Sequence, residues 1–291
     1  MTLQDDVFSR HPDIIYCGWP PRESMPDVHD AILLEGQYVT AKAMARAQAE
    51  ARAKFHSPDC KVLFSREHLT DLTRDKGIII ERLKSVFGDI RVILMIREQI
   101  SALESMYLWN LRQLGIPGRA VPERSFDAFL EKEMSDWRGL VTQSWLTTYD
   151  YGSYARHYVD VLGKANVGIF LFEDMVRTPK KFLSDLLQFI GVDSAAVDSR
   201  LHLGKKNVRL TTWEYRYWMA LTYFTPYPVN RAIQLAMPRW VSGLLKRGPP
   251  MKAQLSHKWR SNLSAIYAPG NRYLVEQFGL PLESHGYATV D

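Results

Sequence analysis

Four short runs of mostly β-branched and apolar residues constrain this chain of 291 residues more than anything else in it. They are DIIYC at 13–17, KVLFS at 61–65, RVILMIR at 91–97 and VGIFLFED at 167–174. Three of the four are near-continuous rather than alternating. A strand with one face in water alternates apolar and polar residues, whereas a continuous run needs cover on both faces, as in a parallel sheet between crossover helices. The segments between the runs have helical character. TAKAMARAQAEARAKF is rich in strong helix formers, KGIIIERLKSVFGD stops at Gly88, and PKKFLSDLLQFIGVD opens on proline and stops at Gly191. Strand, helix, strand in succession predicts an α/β layered fold.

Past Asp193 the strand signal fades into a helical, aromatic tail interrupted at FTPYPVN and KRGPPMK. No internal repeat or low-complexity tract is present, so one domain over 1–291 is expected, with an α/β part at 1–193 and a mainly helical part at 194–291. The opening TLQDDVFSR has apolar residues at helical spacing and is closed by His11-Pro12-Asp13, because proline cannot continue the ladder. This helix has no strand or turn before it.

Lysine and arginine total 37 against 32 acids, for a net charge of +5. That mild excess, with no basic tract, fits an anionic small-molecule ligand better than nucleic acid. Cys17 and Cys60 are the only cysteines, which indicates neither a disulfide framework nor a zinc knuckle and favours a reducing, cytoplasmic setting. Asp5 and Asp6 stand where a signal peptide would carry positive charge, and no uncharged apolar stretch reaches membrane-spanning length. The eight histidines show no HExxH or paired spacing, so no metal is expected.

Ligands of open α/β sheets bind outside the carboxyl ends of the strands. That rule directs attention to Ser65-Arg66-Glu67-His68, to Arg97-Glu98 and to Glu173-Asp174. Arg97 closes its apolar run, and Ser105 follows eight positions later on the next helical segment, with Tyr107 and Arg112 beyond it. A guanidinium and a hydroxyl so placed could converge on one phosphate. The competing reading pairs Arg97 with Glu98 or Glu104 at the surface.

RVILMIREQISALESMYLWNLR resembles the segment of the PAPS-dependent sulfotransferases in which a strand ends in Arg and a Ser follows eight residues later. VGIFLFEDMVRTPKKFLSDLLQFIGVD is similar to that family's strand, Glu-Asp, Pro, helix and Gly-Val stretch. IYAPGNRYLVEQFGLPLESHGY resembles the closing helix of its carbohydrate-type and bacterial members. The resemblance implies a P-loop-NTPase-like parallel sheet flanked by helices, with a helical C-terminal elaboration. It also implies 3′-phosphoadenosine 5′-phosphosulfate (PAPS) as sulfuryl donor, a glycan or glycolipid acceptor, and a 3′-phosphate held by Arg97 and Ser105. Phe172 is expected beside the nucleotide, and Lys205, Lys206 and Arg209 of LGKKNVR as further phosphate contacts, an exposed basic loop being the alternative.

The family's Lys-Ser/Thr-Gly-Thr-Thr loop, which cradles the 5′-phosphosulfate, should stand immediately before Thr2, and no such pattern occurs in the sequence. A start methionine placed too late, a trimmed chain and an inactive relic compete as explanations, and the first is favoured. The first strand is expected to be missing with the loop, and turnover by this chain to be impaired. Glu67, His68 and Glu23 compete for the role of base, against readings as a helix cap for Glu67 and a solvated loop carboxylate for Glu23. Two other functions stand beside this one: a P-loop kinase-like phosphotransferase, since FLFED also resembles a Mg²⁺-holding strand end, and a non-catalytic glycan-binding protein. Residues 213–248 mix aromatics with arginine and lysine, which suits ordinary helix packing, sugar stacking or peripheral membrane contact.

Overall fold

The computed structural model of the chain describes residues 3, 7–17, 25–33, 39–54, 61–64, 76–112, 123, 125–138, 144–193, 210–224, 232–233 and 236–290. In chain order the elements are β1 (Ile14–Tyr16), α1 (Pro26–Leu33), α2 (Ala41–Lys54), β2 (Lys61–Leu63), α3 (Lys76–Phe87), β3 (Val92–Ile96) and α4 (Gln99–Arg112). After these come α5 (Phe126–Arg138), α6 (Trp145–Thr148), α7 (Tyr151–Leu162), β4 (Val167–Leu171), α8 (Phe172–Arg177) and α9 (Pro179–Ile190). The last helices are α10 (Thr212–Phe224), α11 (Arg239–Leu245) and α12 (His257–Phe278). The fold is α/β, mostly helical, with small parallel sheets.

The elements group into two compact units. The first comprises residues 1–97, 150–206 and 276–280, and it holds all four strands. β1 pairs with β2 and β3 with β4, both in parallel. Each predicted run therefore contains a strand, but among the described residues they form two pairs rather than one continuous sheet.

Why the runs are continuously apolar is visible in β1 and β2. Ile14, Tyr16 and Leu63 pack into one cluster with Phe182, Leu186, Leu187 and Ile190 of α9. Ile15, Cys17, Val62 and Phe64 face a second cluster, built from α1, α2 and α3 around Val28, Ala47 and Ile79. Both faces are covered, so neither can be polar; burying one such aliphatic side chain is worth roughly 1.5 to 3 kcal/mol.

α9 ends where the sequence says it should. Gly191 adopts φ 86°, and the N–H groups of Gly191 and Val192 both return to the Leu187 carbonyl, at 2.9 and 3.1 Å. A left-handed residue there suits glycine, which lacks the Cβ that would crowd the next carbonyl. At the other end of the unit, Leu3 is helical and the Val7 N–H reaches its carbonyl at 3.1 Å, before a 3₁₀ turn at Phe8–Arg10. Buried His11 then closes the turn: its Nδ1 accepts the Asp13 N–H at 3.2 Å. That leaves Nε2 to carry the proton and donate to the Asp193 carbonyl at 2.9 Å.

The second unit comprises 98–149, 207–275 and 281–291 and is helical. Its core joins Leu103, Tyr107 and Leu111 of α4 to Phe126, Phe129 and Leu130 of α5, and to Trp259, Leu263 and Tyr267 of α12. Tyr107, Phe126 and Phe129 form a ring cluster with centroids 5.3 to 6.1 Å apart. The buried polar ends are satisfied: Tyr107 Oη donates to the Glu123 carbonyl at 3.1 Å and Tyr267 Oη to the Leu146 carbonyl at 3.1 Å. No described helix is long and apolar enough to cross a membrane.

Candidate functional site

The first unit brings together two of the predicted nucleotide contacts. In the β3–β4 register Ile96 stands opposite Leu171, the last residue of each strand. The next residues, Arg97 and Phe172, are therefore neighbours at the carboxyl ends of a parallel pair. The Arg97 guanidinium lies over the Phe172 ring, 5.3 Å from its centroid. Such a contact holds the cation in place, and a guanidinium stacked on a ring face can still donate its N–H groups in its own plane.

The backbone beneath it is fixed as well. The Arg97 N–H is 3.4 Å from Oη of Tyr151, the buried first residue of α7. Tyr151 was not foreseen, because 54 positions separate it from Arg97 and only the packing of α7 against the strands brings it there. The stretch TTYDYG, with its cap Asp150, signals a helix start but not its destination.

Predicted as strand, VGIFLFED leaves the sheet at Leu171, and Phe172, Glu173 and Asp174 open α8. Acids in a first helical turn face the positive end of the helix dipole, which favours this break. Glu173 and Asp174 thus sit on a helix rather than at a strand end.

Ser105 belongs to the second unit, where it is exposed on α4. Tyr107, two positions on, is only 2% exposed and is a core residue. The acids proposed as surface partners of Arg97 have other work. Glu98 takes the Ile100 and Ser101 N–H groups on its two oxygens, at 2.8 and 2.7 Å, capping α4. Glu104 Oε1 accepts the Ala253 N–H at 2.9 Å.

Glu23, Glu67, His68, Lys205, Lys206 and Arg209 lie outside the described residues. Among the described residues no group of three or more His, Cys, Asp or Glu side chains is placed to hold a metal ion. A hollow of about 510 Å³ between the ends of α2 and α3 is lined by Arg52, Ser85 and Phe87, among others, and includes none of the predicted site residues.

No protein-family model matches the chain, and no curated protein matches it. Among solved structures, a sulfotransferase from Alicyclobacillus acidocaldarius is similar over 88% of this chain and 92% of its own, with 20% identity and a TM-score of 0.46. A likeness of that degree does not assign the chain to a family.

Proposed function

We propose that this protein is a sulfotransferase that takes PAPS as donor and a glycan or glycolipid hydroxyl, or an amine, as acceptor. The reading rests on the sequence resemblance, and one observation in the fold supports it most: a guanidinium held over an aromatic ring at the carboxyl ends of two paired parallel strands. A partly buried arginine suits a phosphate, and an aromatic ring beside it suits a purine.

Arg97 would hold the 3′-phosphate, with Ser105 as the second donor by resemblance, and Phe172 would flank the nucleotide. When bound, PAPS supplies the sulfuryl group: the acceptor oxygen or nitrogen bonds to sulfur while the bond from sulfur to the 5′-phosphate oxygen breaks. The acceptor's proton passes to a base, for which Glu67, His68 and Glu23 are the candidates, and Lys205, Lys206 and Arg209 would neutralise phosphate charge.

Calorimetry with adenosine 3′,5′-bisphosphate against ATP-Mg²⁺ tests the reading. The bisphosphate should bind at least about tenfold more tightly, a difference of about 1.4 kcal/mol. Preferential binding of ATP-Mg²⁺ would instead support a phosphotransferase, and binding of neither would remove the nucleotide site.

A further inference from the structure

Charge is unevenly distributed along the chain. Of its 37 lysines and arginines and 32 acids, nine of the bases and none of the acids fall between residues 215 and 275. The nearest acid before this stretch, Glu214, is buried and accepts the Thr211 N–H at 3.0 Å.

Within that stretch α11 exposes large apolar groups. Trp240 is 73% and Leu244 50% exposed, and their spacing of one turn places them on one face of the helix. Arg239, Lys246 and Arg247 are exposed at the two ends of the same helix. Its far end is tied down: Thr211 Oγ1 donates to the Leu245 carbonyl at 2.6 Å, and the Thr212 N–H to the Pro249 carbonyl at 2.9 Å. Trp213, 45% exposed, lies against Gly248, where an added Cβ would come within 2.7 Å of the indole. Two indoles and a leucine thus stand at one short helix whose exposed charges are cationic.

We propose that this surface docks on a lipid bilayer bearing anionic headgroups, with Trp240 and Leu244 entering the interface and Arg239, Lys246 and Arg247 paired to headgroup phosphates. Charge alone would suit any polyanion. A soluble polyanion offers no apolar phase to Leu244, however, whereas the boundary between headgroups and acyl chains takes up leucine and indole together with flanking cations. The surface lies on the bilayer and does not span it. This inference stands on the surface alone and does not depend on the transferase reading.

Cosedimentation of the full chain with phosphatidylcholine vesicles, with and without roughly one third phosphatidylglycerol, tests it. Binding is expected on the anionic vesicles only and should weaken with salt. Replacing Arg239, Lys246 and Arg247 by Gln should weaken it by about fivefold per charge. Trp240→Ser with Leu244→Ser should weaken it by about tenfold or more. Lys180→Gln, an exposed charge on α9, should leave it unchanged. A second readout separates docking from misfolding: lipids brominated in their acyl chains should quench tryptophan emission of the folded protein, and less so after Trp240→Phe. Equal binding to neutral and anionic vesicles, wild-type binding by the Ser pair, or retention by heparin without vesicle binding would each overturn the proposal.

Discussion

The Arg97 guanidinium rests over the Phe172 ring at 5.3 Å because the strands that precede them end in register, Ile96 opposite Leu171. If this pair holds a nucleotide phosphate, Arg97→Ala should reduce affinity for adenosine 3′,5′-bisphosphate by about 1.5 to 3 kcal/mol, the worth of a charged hydrogen bond. Phe172→Leu, which keeps bulk but removes the ring face, should cost about 0.5 to 1 kcal/mol. Titration calorimetry reads both, and unchanged affinity in the Arg97 variant would remove the site assignment.

Gly168, the second residue of β4, has no room for a side chain. An added Cβ would lie 2.7 Å from Phe189 Cε1 and 2.9 Å from Phe170 Cε2, ring atoms of the cluster over β4. Gly168→Ala should destabilise the protein by about 1 to 3 kcal/mol through overpacking. A urea midpoint equal to that of wild type would show that the rings move aside freely.

Asn271 holds the C-terminal tail of the second unit. Its Oδ1 accepts from Gln99 Nε2 at 2.6 Å, and its Nδ2 donates to the Ala288 carbonyl at 2.7 Å. Asn271→Ala strands two polar partners, and each buried unsatisfied group costs about 1 to 3 kcal/mol. Thermal unfolding should show the loss, and proteolysis should release the tail sooner. A variant as stable and as resistant as wild type would mean that the network contributes little.

Glu133 gives stability a pH dependence of known sign. Burial pushes its carboxyl above the ordinary value of 4.5, against the pull of the Trp145 N–H that its Oε2 accepts at 2.6 Å. With the folded value raised, the folded state binds more protons from pH 4.5 upward. The contribution is fully present below 4.5 and is lost as pH rises through the folded value. Glu133→Gln should abolish that falling component. Urea midpoints measured from about pH 4 to 8 should fall less steeply for the variant, and parallel curves would contradict the assignment.

Much of the fold was legible in single residues. Continuous apolar runs located β1 to β4, since a strand covered on both faces cannot alternate, and Ile14 and Ile15 do face different clusters. Pro179 and Gly191 bounded α9, since their backbone constraints are local and need no neighbours. The turn out of β4 at Phe172 is not legible in the sequence, because FLF is apolar enough for either state and only the acids behind it favour a helix start.

What the sequence by itself determined is therefore local: that four segments extend, that α9 starts at Pro179 and stops at Gly191, and that Arg97 follows a strand. Only the tertiary structure decided that β3 pairs with β4 in a register that brings Phe172 under Arg97, and that Tyr151 meets the Arg97 backbone. It also decided that residues 98–149 join 207–275 in a second compact unit. Partners of this kind are set by closure of long loops and by the shapes of packed faces, and neither is written in any one segment.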